Sequence, residues 1–150
     1  MIALIQRVTH ASVAVEEQTV GAIELGILAL VAAEGGDGDA QVRRLSERLL
    51  GYRIFPDGEG RMNLSVQDIQ GDLLVVPQFT LAADTRKGTR PSFSGAAAPE
   101  QGRELFHKLL AALRQQASGA VASGVFGVDM QVSLTNDGPV TFWLRAVPAD

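Results

Sequence analysis

The sequence predicts an α+β domain: extensively antiparallel β-sheet layers packed with two main helices. Three observations carry that expectation. Val128, Met130, Val132 and Leu134 alternate with Asp129, Gln131 and Ser133, and Val140, Phe142 and Leu144 alternate with Thr141, Trp143 and Arg145. This period of two marks strands with one buried face. Two other stretches space their apolar residues three and four apart, as helices do. No linker, repeat or low-complexity segment divides the chain, so residues 1–150 read as a single domain with room for a substantial core.

Along the chain, IALIQRVTHASVAV reads as two strands, with Val13 and Val15 alternating against Ser12, Ala14 and Glu16. Residues 20–25 make a partner strand. GILALVAAE is apolar on both faces, which marks a central strand covered twice. Residues 39–52 place Val42, Leu45 and Leu49 on one helical stripe, with Asp37 or Asp39 as candidate N-cap. FPDGEG is a turn, and DLLVVPQFTL is another buried strand, interrupted by Pro77. The loop AADTRKGTRPSFSGAAA follows. A second helix starts near Pro99, with Leu105, Phe106, Leu109, Leu110 and Leu113 facing inward. The last unit carries a hairpin signal, Asn136-Asp137-Gly138. Pro139 comes at once, however, and has no N–H for a returning strand. Trp143 falls on the polar face, where either a helix or loop covers it or a subunit interface does.

Composition narrows the chemistry. Cysteine is absent, which removes disulfides, thiol nucleophiles and cysteine-ligated metals together. The two histidines, His10 and His107, cannot build a His-rich site, and no metal or other cofactor is expected. A net charge of −4 argues against wrapping a long nucleic acid, which needs a broad basic face, but permits gripping one by its tip. The longest unbroken apolar run, Ile27 to Ala33, is too short to span a bilayer. MIALIQRVTH has no basic stretch ahead of its apolar residues, so no secretory signal is read and a cytoplasmic protein is expected. The standard hydrolase, P-loop and dinucleotide signatures are missing. An enzyme of this composition would lean on positioned backbone groups, a hydroxyl or its substrate.

Two long segments, PQFTLAADTRKGTRPSF and MQVSLTNDGPVTFWL, resemble the signature segments of the D-aminoacyl-tRNA deacylases (D-tyrosyl-tRNA deacylases). MIALIQRV, GYRIF and MNLSV fit the same family, so the likeness runs the whole chain. The resemblance implies a homodimer that hydrolyses the ester joining a D-amino acid to the terminal adenosine of tRNA, with active sites at the subunit interface. It implies an active site lined by Gln78, Phe79 and Thr80. It also implies a cis Gly138–Pro139 bond within a corner, Gly138, Pro139, Val140 and Thr141, that enters the other subunit's pocket. The resemblance also implies that Arg7 points inward and braces that corner together with Met130; the alternative is a strand-edge arginine reaching water. Where the family commonly has serine, this chain has Pro77, which supplies neither hydroxyl nor N–H. Either that contribution is inessential, or the enzyme is slower, or the position is a strand end that tolerates proline.

A D-selective site can reject L-amino acids by filling the space their side chain would occupy. Thousandfold rejection needs about 4 kcal/mol, which a hard clash supplies more readily than one lost hydrogen bond. Glycine, with hydrogen at both positions, should then be accepted. Thr80 carries the only hydroxyl among Gln78, Phe79 and Thr80, but no base is apparent beside it. The expected chemistry is therefore assistance by the tRNA 2′-OH, with backbone N–H groups near Phe79 and Thr80 stabilising the oxyanion. Arg86, Lys87 and Arg90 form a short basic loop, either simply solvated or meeting acceptor-end phosphates. Two competing readings are a binding module that caps the tRNA acceptor end without hydrolysis, and an editing enzyme aimed at L-amino acids.

Overall fold

The computed structural model describes residues 1–147. Its elements run β1 (Ile2–Val15), β2 (Gln18–Ile23), β3 (Gly26–Ala32), α1 (Asp39–Gly51), β4 (Phe55–Pro56), β5 (Met62–Leu64), β6 (Asp72–Pro77), a 3-10 turn (Phe79–Ala82), α2 (Pro99–Gln116), β7 (Val121–Ser123) and β8 (Gln131–Arg145). This is the expected α+β arrangement. The sheet is mixed, because β6 lies parallel to both β3 and β7. Parallel neighbours need a long crossover, which α1 with the β4–β5 hairpin supplies between β3 and β6, and α2 between β6 and β7.

The long strand β1 organises the rest. One edge pairs with β8 from Ile2 to Ala14. The opposite edge is shared, with β3 taking residues 2–8 and β2 taking residues 11–15. The two strands expected in this stretch are thus one. They read as two because the hydrophobic phase breaks: Ala3 and Ile5 face the core beneath the helices, while Val8, Ala11 and Val13 face a second, smaller core.

The final hairpin is also overturned. β8 is continuous, and both flanks of Asn136-Asp137-Gly138 pair with β1 instead of with each other. Thr141 lies opposite Gln6 and Asn136 opposite Val8, so the intervening residues bulge out of the ladder. One long partner satisfies both alternating stretches, and the turn residues are absorbed as a bulge.

Helix α1 buries Val42, Leu45 and Leu49, and α2 buries Leu105, Phe106, Leu109, Leu110 and Leu113. These residues meet Ile27, Ala29, Leu73 and Val75 on the underside of the sheet. Pro99 opens α2 as expected. Neither aspartate caps α1: Gly38 does, and its N–H is satisfied by Gln41 Oε1 at 2.8 Å. Asp37 instead accepts the Glu34 N–H and pairs with the Met1 ammonium, each at 2.7 Å. Asp39 joins the helices through Lys108 at 2.9 Å. No helix among the described residues is long and apolar enough to cross a membrane.

Candidate functional site

A cleft of about 560 Å³ opens beyond the C-terminal ends of β3 and β6. Its volume suits a small-molecule group. Val31–Ala33 and Val76–Phe79 form one wall, Pro99, Gly102 and Phe106 of α2 another, and Phe126–Met130 with Val132 a third.

Gln78, Phe79 and Met130 line this cleft, so residues distant in sequence meet there. Phe79 is 60% exposed and packs on Phe93, with ring centroids 5.2 Å apart. Thr80 follows on the 3-10 turn, and its hydroxyl accepts a hydrogen bond from the Gln78 side-chain amide. An amide is no general base in either orientation, which leaves the hydroxyl without an activating partner. The N–H groups of Phe79 and Thr80 precede the first bond within the turn, Leu81 N–H to Gln78 O.

Pro77 sits at the last paired position of β6. Gln78 N–H donates to Val31 O at 2.7 Å, so the preceding position aims its nitrogen away from β3. On that side β7 has ended, its last partner being Val75. The ladder therefore loses nothing to proline here.

The corner is a separate construction. Gly138 and Pro139 are exposed, the peptide bond between them is cis, and Gly138 has φ of 139°. An added Cβ at Gly138 would stand 2.5 Å from Val140 Cγ2, so the position requires glycine. Val140 is buried and anchors the bulge from below. Asn136 closes its base, accepting from Val140 N–H at 3.1 Å and donating to Thr141 Oγ1 at 3.0 Å. Arg7 does not reach for water: its side chain is 13% exposed. Its Nη1 donates to Ile54 O at 2.8 Å and its Nε to Asp137 O at 3.1 Å. Met130 belongs to the cleft wall, where its sulfur accepts the Val125 N–H. The corner does not line its own chain's cleft. Arg7 lies opposite Ile27 and the cleft residue Val31 opposite Ala3, a separation of about 13 Å along β3.

Arg86, Lys87 and Arg90 are exposed on a loop closed by reciprocal backbone bonds between Asp84 and Ser92, at 2.7 and 3.0 Å. Phe93 ties the end of this loop to Phe79 at the cleft. Arg86 is engaged by Asp84, whose carboxyl its hydrogen bonds hold down at about 2. Sequence reasoning missed the cleft's α2 wall and Asp129, which the strand alternation had assigned to an outward polar face. It also missed Asn136, read only as a turn residue. Among the described residues, no three His, Cys, Asp or Glu side chains converge as a metal site would require. Trp143 is 55% exposed, and no helix or loop among the described residues covers it.

A family model described as D-Tyr-tRNA(Tyr) deacylase matches residues 4–145. A protein of Halorhodospira halophila named D-aminoacyl-tRNA deacylase is 63% identical over 99% of this chain and 96% of its own length. One of Methylococcus capsulatus with the same name is 65% identical over the same shares. Among solved structures, one titled c-Myc DNA Unwinding Element Binding Protein superposes with a TM-score of 0.93 at 36% identity, covering 98% of this chain and 99% of that one. A probable eukaryotic D-amino acid tRNA deacylase shares the fold, with a TM-score of 0.79 at 19% identity over 97% and 98% of the two chains.

Proposed function

The chain belongs to the D-Tyr-tRNA(Tyr) deacylase family, a family of D-aminoacyl-tRNA hydrolases, and we propose how it discriminates and cuts. Two copies form a homodimer, and the Gly138-Pro139 corner of each enters the cleft of the other. There it occupies the space that an L-amino acid's side chain would need. The observation that carries this reading is the placement of the corner: exposed, braced on three sides, and remote from its own chain's cleft. A rigid, outward projection suits a neighbouring molecule's site better than its own. The exposed Trp143, on the strand that carries the corner, gives such an interface an apolar anchor.

The aminoacyl ester lies in the cleft beside Gln78 and Phe79. Water adds to the ester carbonyl, the bond to the ribose oxygen breaks, and the neighbouring 2′-OH relays a proton, giving its own to the leaving oxygen and taking one from the attacking water. The Phe79 and Thr80 N–H groups stabilise the charge that develops on the carbonyl oxygen. No step asks Thr80 to act as a nucleophile, in keeping with its amide partner. Lys87 and Arg90 meet phosphates of the acceptor end, while Arg86 is already occupied by Asp84. Because selection works by exclusion, glycyl-tRNA is also cleaved. The chain is expected to act in the cytoplasm, where charged tRNA is used.

Hydrolysis of D-tyrosyl-tRNA and L-tyrosyl-tRNA side by side, at matched enzyme, tests the reading. Loss of the D-ester with the L-ester untouched is expected. Equal loss of both would remove the chiral filter. Binding of the tRNA without loss of either would favour an acceptor-end binding module, with the side chain missing at Pro77 as its first cause.

A further inference from the structure

Asp37 is a buried carboxylate that the reaction does not use. Its side chain is fully enclosed, and Oδ1 has no hydrogen-bond partner among the described residues. A carboxylate out of reach of water needs a cation close by. That cation is the Met1 ammonium, 2.7 Å from Oδ2 and buried with it. The same ammonium donates to Ala146 O at 2.7 Å, and the Met1 carbonyl accepts the Ala146 N–H at 2.8 Å. Glu34 stands farther off at 3.8 Å, and its carboxylate is held by Arg145 through two bonds of 2.9 Å.

This ion pair sits directly behind the cleft. Met1 lines the cleft, as do Ala32 and Ala33 just ahead of Glu34. Ala33 O accepts the Ala97 N–H at 3.1 Å, which ties that wall to the segment leading into α2. Asp37 O accepts from Gln101 Nε2 at 3.1 Å, and the neighbouring Gly38 caps α1. The Met1 amine, the cleft wall and the entries of both helices therefore share one anchor.

We infer that the Asp37 pocket is selective for a free α-ammonium on Met1, and that an acyl group on that amine, formyl or acetyl, disables the cleft. An acylated amine is a neutral amide with a single N–H. It cannot offset the Asp37 charge and serve Ala146 O as well. Its carbonyl would also have to enter a buried site where two oxygens already stand 2.7 Å from the nitrogen. Displacing the amine withdraws the Met1 side chain from the cleft wall. The effect on activity rests on the hydrolase reading above; the effect on stability does not.

The test crosses the state of the amine with the charge at residue 37. The wild type and Asp37→Asn are each prepared with the Met1 amine free and with it acetylated by a co-expressed Nα-acetyltransferase, the state being verified by mass spectrometry. Melting is followed by circular dichroism, and deacylation of D-tyrosyl-tRNA is measured well below each Tm. Acetylation of the wild type should lower Tm by about 6–20 °C and kcat/KM by about tenfold or more. Asp37→Asn should lower Tm when the amine is free and raise it when the amine is acetylated, because it then removes an unpaired buried carboxylate. An acetylated wild type that fails to fold beside an acetylated Asp37→Asn that folds supports the inference equally. An unchanged Tm on acetylation overturns it, as does an Asp37→Asn that lowers Tm in both states or leaves the acetylated chain unfolded. A lowered Tm with unchanged kcat/KM overturns the link to the cleft. A free-amine wild type that cleaves nothing removes the hydrolase reading alone, and the reversal in Tm still decides the pairing.

Discussion

Replacing Arg7 with methionine tests the corner at its support. Methionine keeps an unbranched stem of similar bulk and deletes every donor. Two hydrogen bonds are lost, to Ile54 O at 2.8 Å and to Asp137 O at 3.1 Å. Hydrogen bonds to a charged group contribute about 1.5–3 kcal/mol each, and water recovers part of that at a partly buried carbonyl, so the pair comes to about 3 kcal/mol. The ion pair with Asp137 Oδ2 at 3.4 Å adds little, because that carboxylate is 45% exposed. At about 2–4 °C per kcal/mol for a chain of this size, Tm should fall by about 6–12 °C. Arg7→Lys should fall between, since one ammonium cannot serve both carbonyls as the guanidinium fork does. If the corner excludes L-esters by holding its place, the same loosening should cut the D-over-L preference by about tenfold or more. Thermal unfolding followed by circular dichroism, with deacylation of both tyrosyl-tRNAs, reads both effects. An unchanged Tm together with an unchanged preference would refute the bracing role.

Gly138→Ala forces a Cβ into a backbone with φ of 139° and against Val140. It should cost about 1–3 kcal/mol in chemical denaturation and lower D-ester turnover. Thr80→Ala should keep most of the activity; a drop of about three decades would restore a nucleophilic threonine. Replacing Lys87 and Arg90 together with alanine should leave kcat in place and flatten the dependence of log KM on log salt by about 1–2. Asp84 has a depressed folded-state pKa, so its pairing with Arg86 stabilises the loop above the ordinary carboxylate value and is lost as pH falls through about 2. Its carboxyl carbon shift in an NMR titration should therefore move only near that pH; a midpoint at 3.8, the ordinary value, would show the pair absent in solution.

Much of the fold was legible because local chemistry and tertiary context agree. The apolar stripes of α1 and α2, the proline opening α2 and the doubly buried run of β3 each have one economical solution. Legibility failed where a residue pattern admits two partners. Asn136-Asp137-Gly138 suits a hairpin and a bulge equally, and only the length of β1 on the facing edge selects the bulge. Asp37 suits a helix cap, until the Met1 ammonium claims it.

The sequence by itself determined what the chain can offer a site: that Gln78, Phe79 and Thr80 stand together on one segment, that there is no cysteine, and that a glycine and a proline stand together near the end. Those are properties of residue type and order. Only the tertiary structure decided that Gln78 and Met130 share a wall, that Arg7 reaches Asp137 and Ile54, and that Asp129 faces a cleft. Alternation along a strand records which residues share a face, but not what that face meets. The meeting is set by long-range pairing and crossovers, which bring together residues whose spacing along the chain carries no trace of the contact.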